Sequence, residues 1–303
     1  MPELTTVTLP AGLKSIPKDA FANSAKLATV KFGTADASNN PSAREVTGEA
    51  NKITLPKGIT TIDARAFAGT AAIAVDLSEV TGLTTINDSV FQNMTKLATV
   101  TLPSGLTTIN TSAFQNDAAL KTLSQESPKA AREGDATPGN TATFGKSLIS
   151  IGQNAFYGTG FNTVDLSAAT GTQASGGSAQ TLNVGSGAFT NMPELATVKL
   201  PKDSNINPAY FGNPTTEGTE PKLASITYGT AATVPATFSG TGNTFSGTNY
   251  NKISNETIDL TGYTSLTTLG TGVLFGNTAM KTLKMNAPIM SLNNTAVSVA
   301  DPV

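Results

Sequence analysis

The chain has 303 residues, 19 Lys+Arg against 21 Asp+Glu for a formal net charge of −2, and no cysteine, histidine or tryptophan. Without thiol or imidazole there is no zinc finger, no haem or iron–sulfur ligation, no cysteine protease and no Ser-His-Asp triad. The balanced charge speaks against nucleic acid as a partner, because phosphate binding rests on clustered Lys and Arg.

Charged residues are only 13% of the chain, so threonine, serine, asparagine and glycine must form much of its surface. No apolar run reaches the roughly 18–20 residues of a membrane helix, and no membrane-spanning segment is expected. The first residues, Met1-Pro2-Glu3-Leu4-Thr5-Thr6-Val7, lack the basic and apolar regions of a signal peptide. They match Met192-Pro193-Glu194-Leu195-Ala196-Thr197-Val198 far downstream, which predicts that the chain begins inside a coil of a repeat.

Val7 and Leu9 alternate with Thr6 and Thr8, the period of a strand with one buried side. Leu13 and Ile16 form a second short apolar stretch, and Ala20-Phe21-Ala22-Asn23 reads as a turn or short helical segment that inserts its phenylalanine into a core. The pattern restarts 23 residues on, from Leu4 to Leu27, and again from Leu97 to Leu120. Between these lie Ile53-Leu55-Ile59-Ile62-Phe67 and Val75-Leu77-Leu83-Ile86-Phe91. Beyond them run Leu148-Ile151-Phe156, then Val164-Leu166 with Leu182-Val184-Phe189, then Val198-Leu200-Ile206-Phe211. Leu223-Ile226-Tyr228, Ile258-Leu260-Leu266-Leu269-Leu274 and Met280-Leu283-Met285-Ile289-Leu292-Val297 close the series.

Such self-similarity defines a repeat solenoid. The expected fold is a leucine-rich-repeat-like right-handed stack of about 23-residue coils, mainly short parallel β-strands with turns or short helical segments. Residues 1–303 form one domain of about eleven coils. Most of the 13 phenylalanines fall in one core column. Outward threonines such as Thr6, Thr29, Thr99, Thr122, Thr163 and Thr197 run in rows along the sheet, where a β-branched residue suits the pleat.

The copies Leu4 to Phe21, Lys52 to Phe67, Leu97 to Phe114 and Leu148 to Phe156 resemble the BspA-type leucine-rich repeat, known also from a treponemal surface protein. The cysteine common in that repeat shortly after Ala-Phe is replaced here, as at Ser24, Met94 and Asp117. That resemblance implies a surface or secreted bacterial protein, of a family implicated in adhesion to host matrix proteins and in coaggregation.

Where the spacing breaks, insertions are expected near 33–50, 124–143, 167–181, 212–222 and 229–257. Most follow the same corner, after Phe32, Leu123, Leu166 and Tyr228, and should emerge along one edge of the stack. They are either a binding edge or a corner that tolerates drift, and the first is alternatively a degenerate coil, since Ile53 follows Val30 by 23 residues. Candidate partner-binding residues are Arg44, Arg132, Phe245 and Tyr250, with Tyr157 and Tyr210 as further aromatics. The arginines have neighbouring acids to pair with, and the aromatics have a core role as the competing reading.

No catalytic constellation emerges, and neither a phosphate loop nor an Asp-x-Asp-x-Asp-Gly calcium loop is present, so no cofactor and no metal is expected. The reading is a non-catalytic cell-surface or secreted recognition module whose partner is a protein, of the host extracellular matrix or of another cell surface. Its alternatives are a spacer or scaffold displaying another domain, and a glycan-binding surface protein.

Overall fold

The computed structural model describes residues 1–33, 46–125, 140–169, 182–201, 206, 210–212, 225–228, 236–239, 244–245, 257–262, 268–269, 281–285 and 291–292. In chain order the strands are β1 (Thr6–Leu9), β2 (Ser15–Ile16), β3 (Thr29–Gly33), β4 (Val46–Thr47), β5 (Lys52–Thr54), β6 (Thr61–Ile62), β7 (Ala74–Asp76) and β8 (Thr85–Ile86). They continue as β9 (Thr99–Thr101), β10 (Thr108–Ile109), β11 (Thr122–Ser124), β12 (Thr141–Thr143), β13 (Ser150–Ile151), β14 (Thr163–Asp165), β15 (Asn183–Val184), β16 (Phe189–Thr190), β17 (Thr197–Leu200), β18 (Phe211–Gly212) and β19 (Ser225–Tyr228). The last six are β20 (Ala236–Ser239), β21 (Thr244–Phe245), β22 (Thr257–Gly262), β23 (Thr268–Leu269), β24 (Thr282–Lys284) and β25 (Ser291–Leu292).

The first strand of each coil joins one long sheet in the order β1-β3-β5-β7-β9-β11-β12-β14-β17-β19. Every pair along it is parallel, and equivalent residues meet: Val7 faces Val30, Val75 faces Val100, Val164 faces Val198. Alternation turns the middle residue inward, so Val30, Ile53, Val75, Val100, Leu123, Ala142, Val164 and Val198 are all buried while Thr99, Thr122, Thr141 and Thr143 stay at the surface. Thr29 departs from the expected outward row: it is buried, its Oγ1 accepting from Asn51 N at 2.9 Å. A second layer of two-residue strands runs alongside. There β2 pairs β6, and β8, β10, β13 and β15 form a ladder that buries Ile86, Ile109, Ile151 and Val184. Each such side chain contributes about 1.5–3 kcal/mol that no single coil could gain alone. The same two-layer pattern returns in β20-β22-β24 and β21-β23-β25.

A turn closes each complete coil. Its bonds run from Ala20 N to Pro17 O, Ala22 N to Asp19 O and Ser24 N to Phe21 O in the first coil. In the coils of Phe21, Phe67, Phe91, Phe114 and Phe156 these corners are turns, because left-handed residues on both sides of the phenylalanine, Asp19 and Asn23 in the first, break a helical run; Phe189 and Phe211 lie instead in the paired strands β16 and β18, and Tyr210 takes a 3-10 conformation. The phenylalanines stack into a column of Phe21, Phe67, Phe91, Phe114, Phe156, Phe189 and Phe211, with neighbouring rings 5.2–5.8 Å apart.

Among the described residues, two coils before β12 are incomplete: β3 and β11 take their places in the long sheet, yet no second-layer strand or phenylalanine follows either before the next rung, β5 or β12. The second layer closes past them: β2 pairs β6 and β10 pairs β13. Phe21 N donates directly to Ala66 O at 2.9 Å and Phe114 N to Ala155 O at 2.8 Å. Of the expected insertions, residues 34–45, 126–139, 170–181, 213–222, 229–235, 240–243 and 246–256 lie outside the described residues. Within the spans 33–50, 124–143 and 229–257, strands β4, β12, β20 and β21 are found, β4 running antiparallel to β3.

Candidate recognition surface

Two surfaces repeat along the solenoid. On the sheet, the strand pattern points Thr99 and Thr101, Thr122 and Ser124, and Thr141 and Thr143 outward on three consecutive rungs, an uncharged hydroxyl patch. Charge pairs flank it. Lys52 Nζ lies 3.1 Å from Asp76 Oδ2, and Lys199 Nζ 3.1 Å from Asp165 Oδ2. Each of these aspartates begins an Asp-Leu-Ser corner and accepts from the serine hydroxyl, at 2.7 Å for Ser78 and 2.6 Å for Ser167. Burial alone would raise the Asp76 carboxyl, but Ser78 and the Lys52 ammonium hold it below the usual carboxylate range.

The second surface is the turn edge. The residue two after each column phenylalanine from Phe21 to Phe189 stands at positive φ: Asn23, Gly69, Asn93, Asn116, Gly158 and Asn191. Asparagine and glycine tolerate this region better than other residues, which accounts for their recurrence. Their backbones are laddered, Asn116 N donating to Tyr157 O at 2.7 Å and Gly158 N to Thr190 O at 3.1 Å. Side chains add to the ladder: Asn116 Nδ2 donates to Asn93 Oδ1 at 2.9 Å and Gln92 Nε2 to Gln115 Oε1 at 2.7 Å.

Arg44, Arg132 and Tyr250 lie outside the described residues. Phe245 is placed by backbone register alone, opposite Leu269, in the two-residue strand type that carries Ile86 and Ile109 earlier in the chain. Tyr157 and Tyr210 are half-buried, Tyr210 packing on the core. The asparagine–glycine row was not singled out from the sequence, although its signal was there: every Ala-Phe or Val-Phe pair of a complete coil is followed two residues later by Asn or Gly.

Among the described residues no group of three or more His, Cys, Asp or Glu side chains could hold a metal ion. No helix among them is long and apolar enough to cross a membrane.

Residues 1–121 and 137–219 match the model of the BspA type leucine rich repeat region, in six copies. Among solved structures, the pneumococcal vaccine antigen PcpA is similar at 19% identity and a TM-score of 0.39, over 79% of this chain and 63% of that one. The leucine rich repeat protein TpLRR of T. pallidum is 21% identical with a TM-score of 0.37, over 63% of this chain and 80% of that one. A leucine rich cell surface protein of Faecalibacterium prausnitzii A2-165 is 16% identical with a TM-score of 0.33, over 94% and 80%. The chain thus spans less than two thirds of the length of PcpA. No curated protein sequence matches it.

Proposed function

Because the chain belongs to the BspA type leucine-rich repeat family, we propose that it is a non-catalytic recognition module displayed at a cell surface or secreted, which binds a protein of the host matrix or of a neighbouring cell. The family makes it a repeat protein of the interaction or scaffold kind. The observation that carries the finer reading is the pair of incomplete coils. The stack closes directly from β2 to β6 and from β10 to β13, so no second-layer rung lies between the strands of either pair. Both strands end on the same edge of a parallel sheet, and insertions that follow one corner of a repeat are where such proteins carry individuality. In this reading Arg44 and Arg132, with Phe245 and Tyr250 further along, contribute to partner contact.

Binding to a panel of immobilised extracellular-matrix proteins tests the proposal. The wild-type chain should bind at least one, and replacing 126–139 by a short Gly-Ser linker should abolish it. That variant must keep Gln125 and the strand Thr141–Thr143, which belong to the stack. No binding by the wild type sinks the adhesion reading; binding undiminished in the variant removes the insertion from it.

A further inference from the structure

The row of left-handed residues contains two glycines, and they differ in their surroundings. A Cβ built on Gly158 would lie 3.3 Å from Asn116 Oδ1 and 3.6 Å from Asn191 Nδ2, so two carboxamide heads converge over a residue without a side chain. The Asn116 amide is oriented by its own bond, since its Nδ2 donates to Asn93 Oδ1 at 2.9 Å and leaves Oδ1 as the acceptor facing Gly158. Asn191 offers the opposite polarity, with its Nδ2 toward the same point. Both asparagines are exposed, and the residue before Gly158, Tyr157, is a half-buried aromatic at the position that Gln115 holds in the preceding complete coil, its carbonyl accepting from Asn116 N at 2.7 Å. At Gly69 the three nearest atoms all belong to Asn23, and the preceding residue is the buried Ala68.

An aromatic ring beside a convergent donor and acceptor is the pairing that holds a sugar, whose ring C–H face packs on the aromatic while its hydroxyls bond at the edge. A hydroxyl seated over the Gly158 Cα can donate to Asn116 Oδ1 and accept from Asn191 Nδ2 at once. Every group there is uncharged, which favours a neutral ligand. An all-equatorial pyranose leaves its C–H face free of axial hydroxyls. We propose that Tyr157, Gly158, Asn116 and Asn191 form a subsite for a neutral, β-linked gluco-configured sugar residue on the turn edge of the solenoid. This subsite stands apart from the protein recognition proposed for the insertions, and neither requires the other.

The test is saturation-transfer and amide-shift NMR of the whole chain with cellobiose and N,N′-diacetylchitobiose. Expected are transfer to at least one disaccharide and shifts of the Gly158 amide and of the Asn116 and Asn191 side-chain amides, with Gly69 unmoved. Tyr157→Ala, at a half-buried position, and Asn191→Ala, at an exposed one, both checked by circular dichroism, should each weaken binding by about tenfold or more, the loss of one ring face or one hydrogen bond. Absence of transfer from both sugars overturns the proposal, as does binding that survives both substitutions unchanged or shifts that centre on Gly69.

Discussion

Two positions in each coil from Phe21 to Phe189 hold φ in the left-handed region, one just before the Ala-Phe or Val-Phe pair and one two residues after the phenylalanine. At the first of these stand Asp19, Arg65, Ser89, Ser112, Asn154 and Gly187; aspartate, asparagine and glycine tolerate it, whereas Arg65, Ser89 and Ser112 pay strain there of about 1 kcal/mol or more each. Arg65 gains some return, its Nε donating to Asp19 Oδ1 at 2.7 Å across the closed gap between coils, though the pair is half-exposed and worth at most about 1 kcal/mol. Another residue column shows how one side chain can act alone. Ser24, Thr70, Met94, Asp117, Thr159 and Met192 occupy one buried row, the row whose usual cysteine is missing. In it Asp117 is fully buried, accepts one bond from Met94 N at 2.7 Å, and leaves Oδ2 without a partner. Burial pushes its carboxyl well above the usual range, only partly opposed by the Met94 N–H. A folded-state pKa above the unfolded one means the native chain holds a proton that the unfolded chain has released. The contribution is therefore most favourable below the unfolded carboxylate pKa, about 3.9, and is lost as pH rises toward the folded value. Asp117→Asn keeps the acceptor for Met94 and removes the titration. Its melting temperature should exceed the wild type's at neutral pH and converge with it in acid; a difference independent of pH would refute this account.

At the scale of the element, the incomplete coil at β11 depends on one side chain standing in for a missing peptide. Gln125 is fully buried; its Oε1 accepts from Gly145 N at 2.9 Å, and its Nε2 donates to Leu106 O at 2.6 Å and to Ser147 Oγ at 2.9 Å. The carboxamide thus joins the corner before β10 to the corner before β13, as a backbone unit of the absent rung would have done. Gln125→Leu leaves the Gly145 N–H without an acceptor and should destabilise the chain by about 1–3 kcal/mol. Gln125→Glu should be destabilised at neutral pH and recover on acidification, when a protonated carboxyl can again donate to Leu106. Chemical denaturation at two pH values separates the two, and equal losses for Glu at both would show that hydrogen-bond polarity is not what matters. Strands were legible wherever a β-branched or leucine residue filled the inward position. Thr141–Thr143 was hidden within the expected insertion because its inward residue is only Ala142. Phe144, two residues on, packs edge-on against Phe156 and Phe189 at 5.6 and 6.3 Å and supplies the bulk nearby.

For the whole molecule, repetition implies that coils can be removed in units. Deleting residues 90–112 joins Ser89 to Ala113, removes β9 and β10, and brings Leu83 to the position held by Leu106. The product should remain folded with a lower melting temperature, because solenoid stability is close to a sum over neighbouring coils. Loss of the cooperative transition would contradict that picture, whereas a deletion of half this length should abolish it through broken register. The incomplete coils also set shape. At each, two sheet steps of about 4.8 Å oppose a single ring step, 5.3 Å from Phe21 to Phe67 and 5.2 Å from Phe114 to Phe156. Between Phe67 and Phe91 one sheet step opposes 5.8 Å. The outward face of the sheet is therefore driven convex at β3 and β11, away from the turn edge that carries Tyr157.

Periodicity alone determines the repeat, the inward and outward residues of most strands, and the phenylalanine column, because burial in a stacked coil acts on each residue through its local spacing. Composition likewise rules out histidine and cysteine chemistry without reference to any fold. Which coils are complete is a different kind of fact. It depends on whether Phe21 meets Phe67 and Phe114 meets Phe156 across an intervening strand, and on Gln125 reaching two corners at once. So does the convergence of Asn116 and Asn191, 75 residues apart in sequence, over Gly158. These are contacts between distant segments whose local sequences look alike, and only the way the coils close on one another selects them.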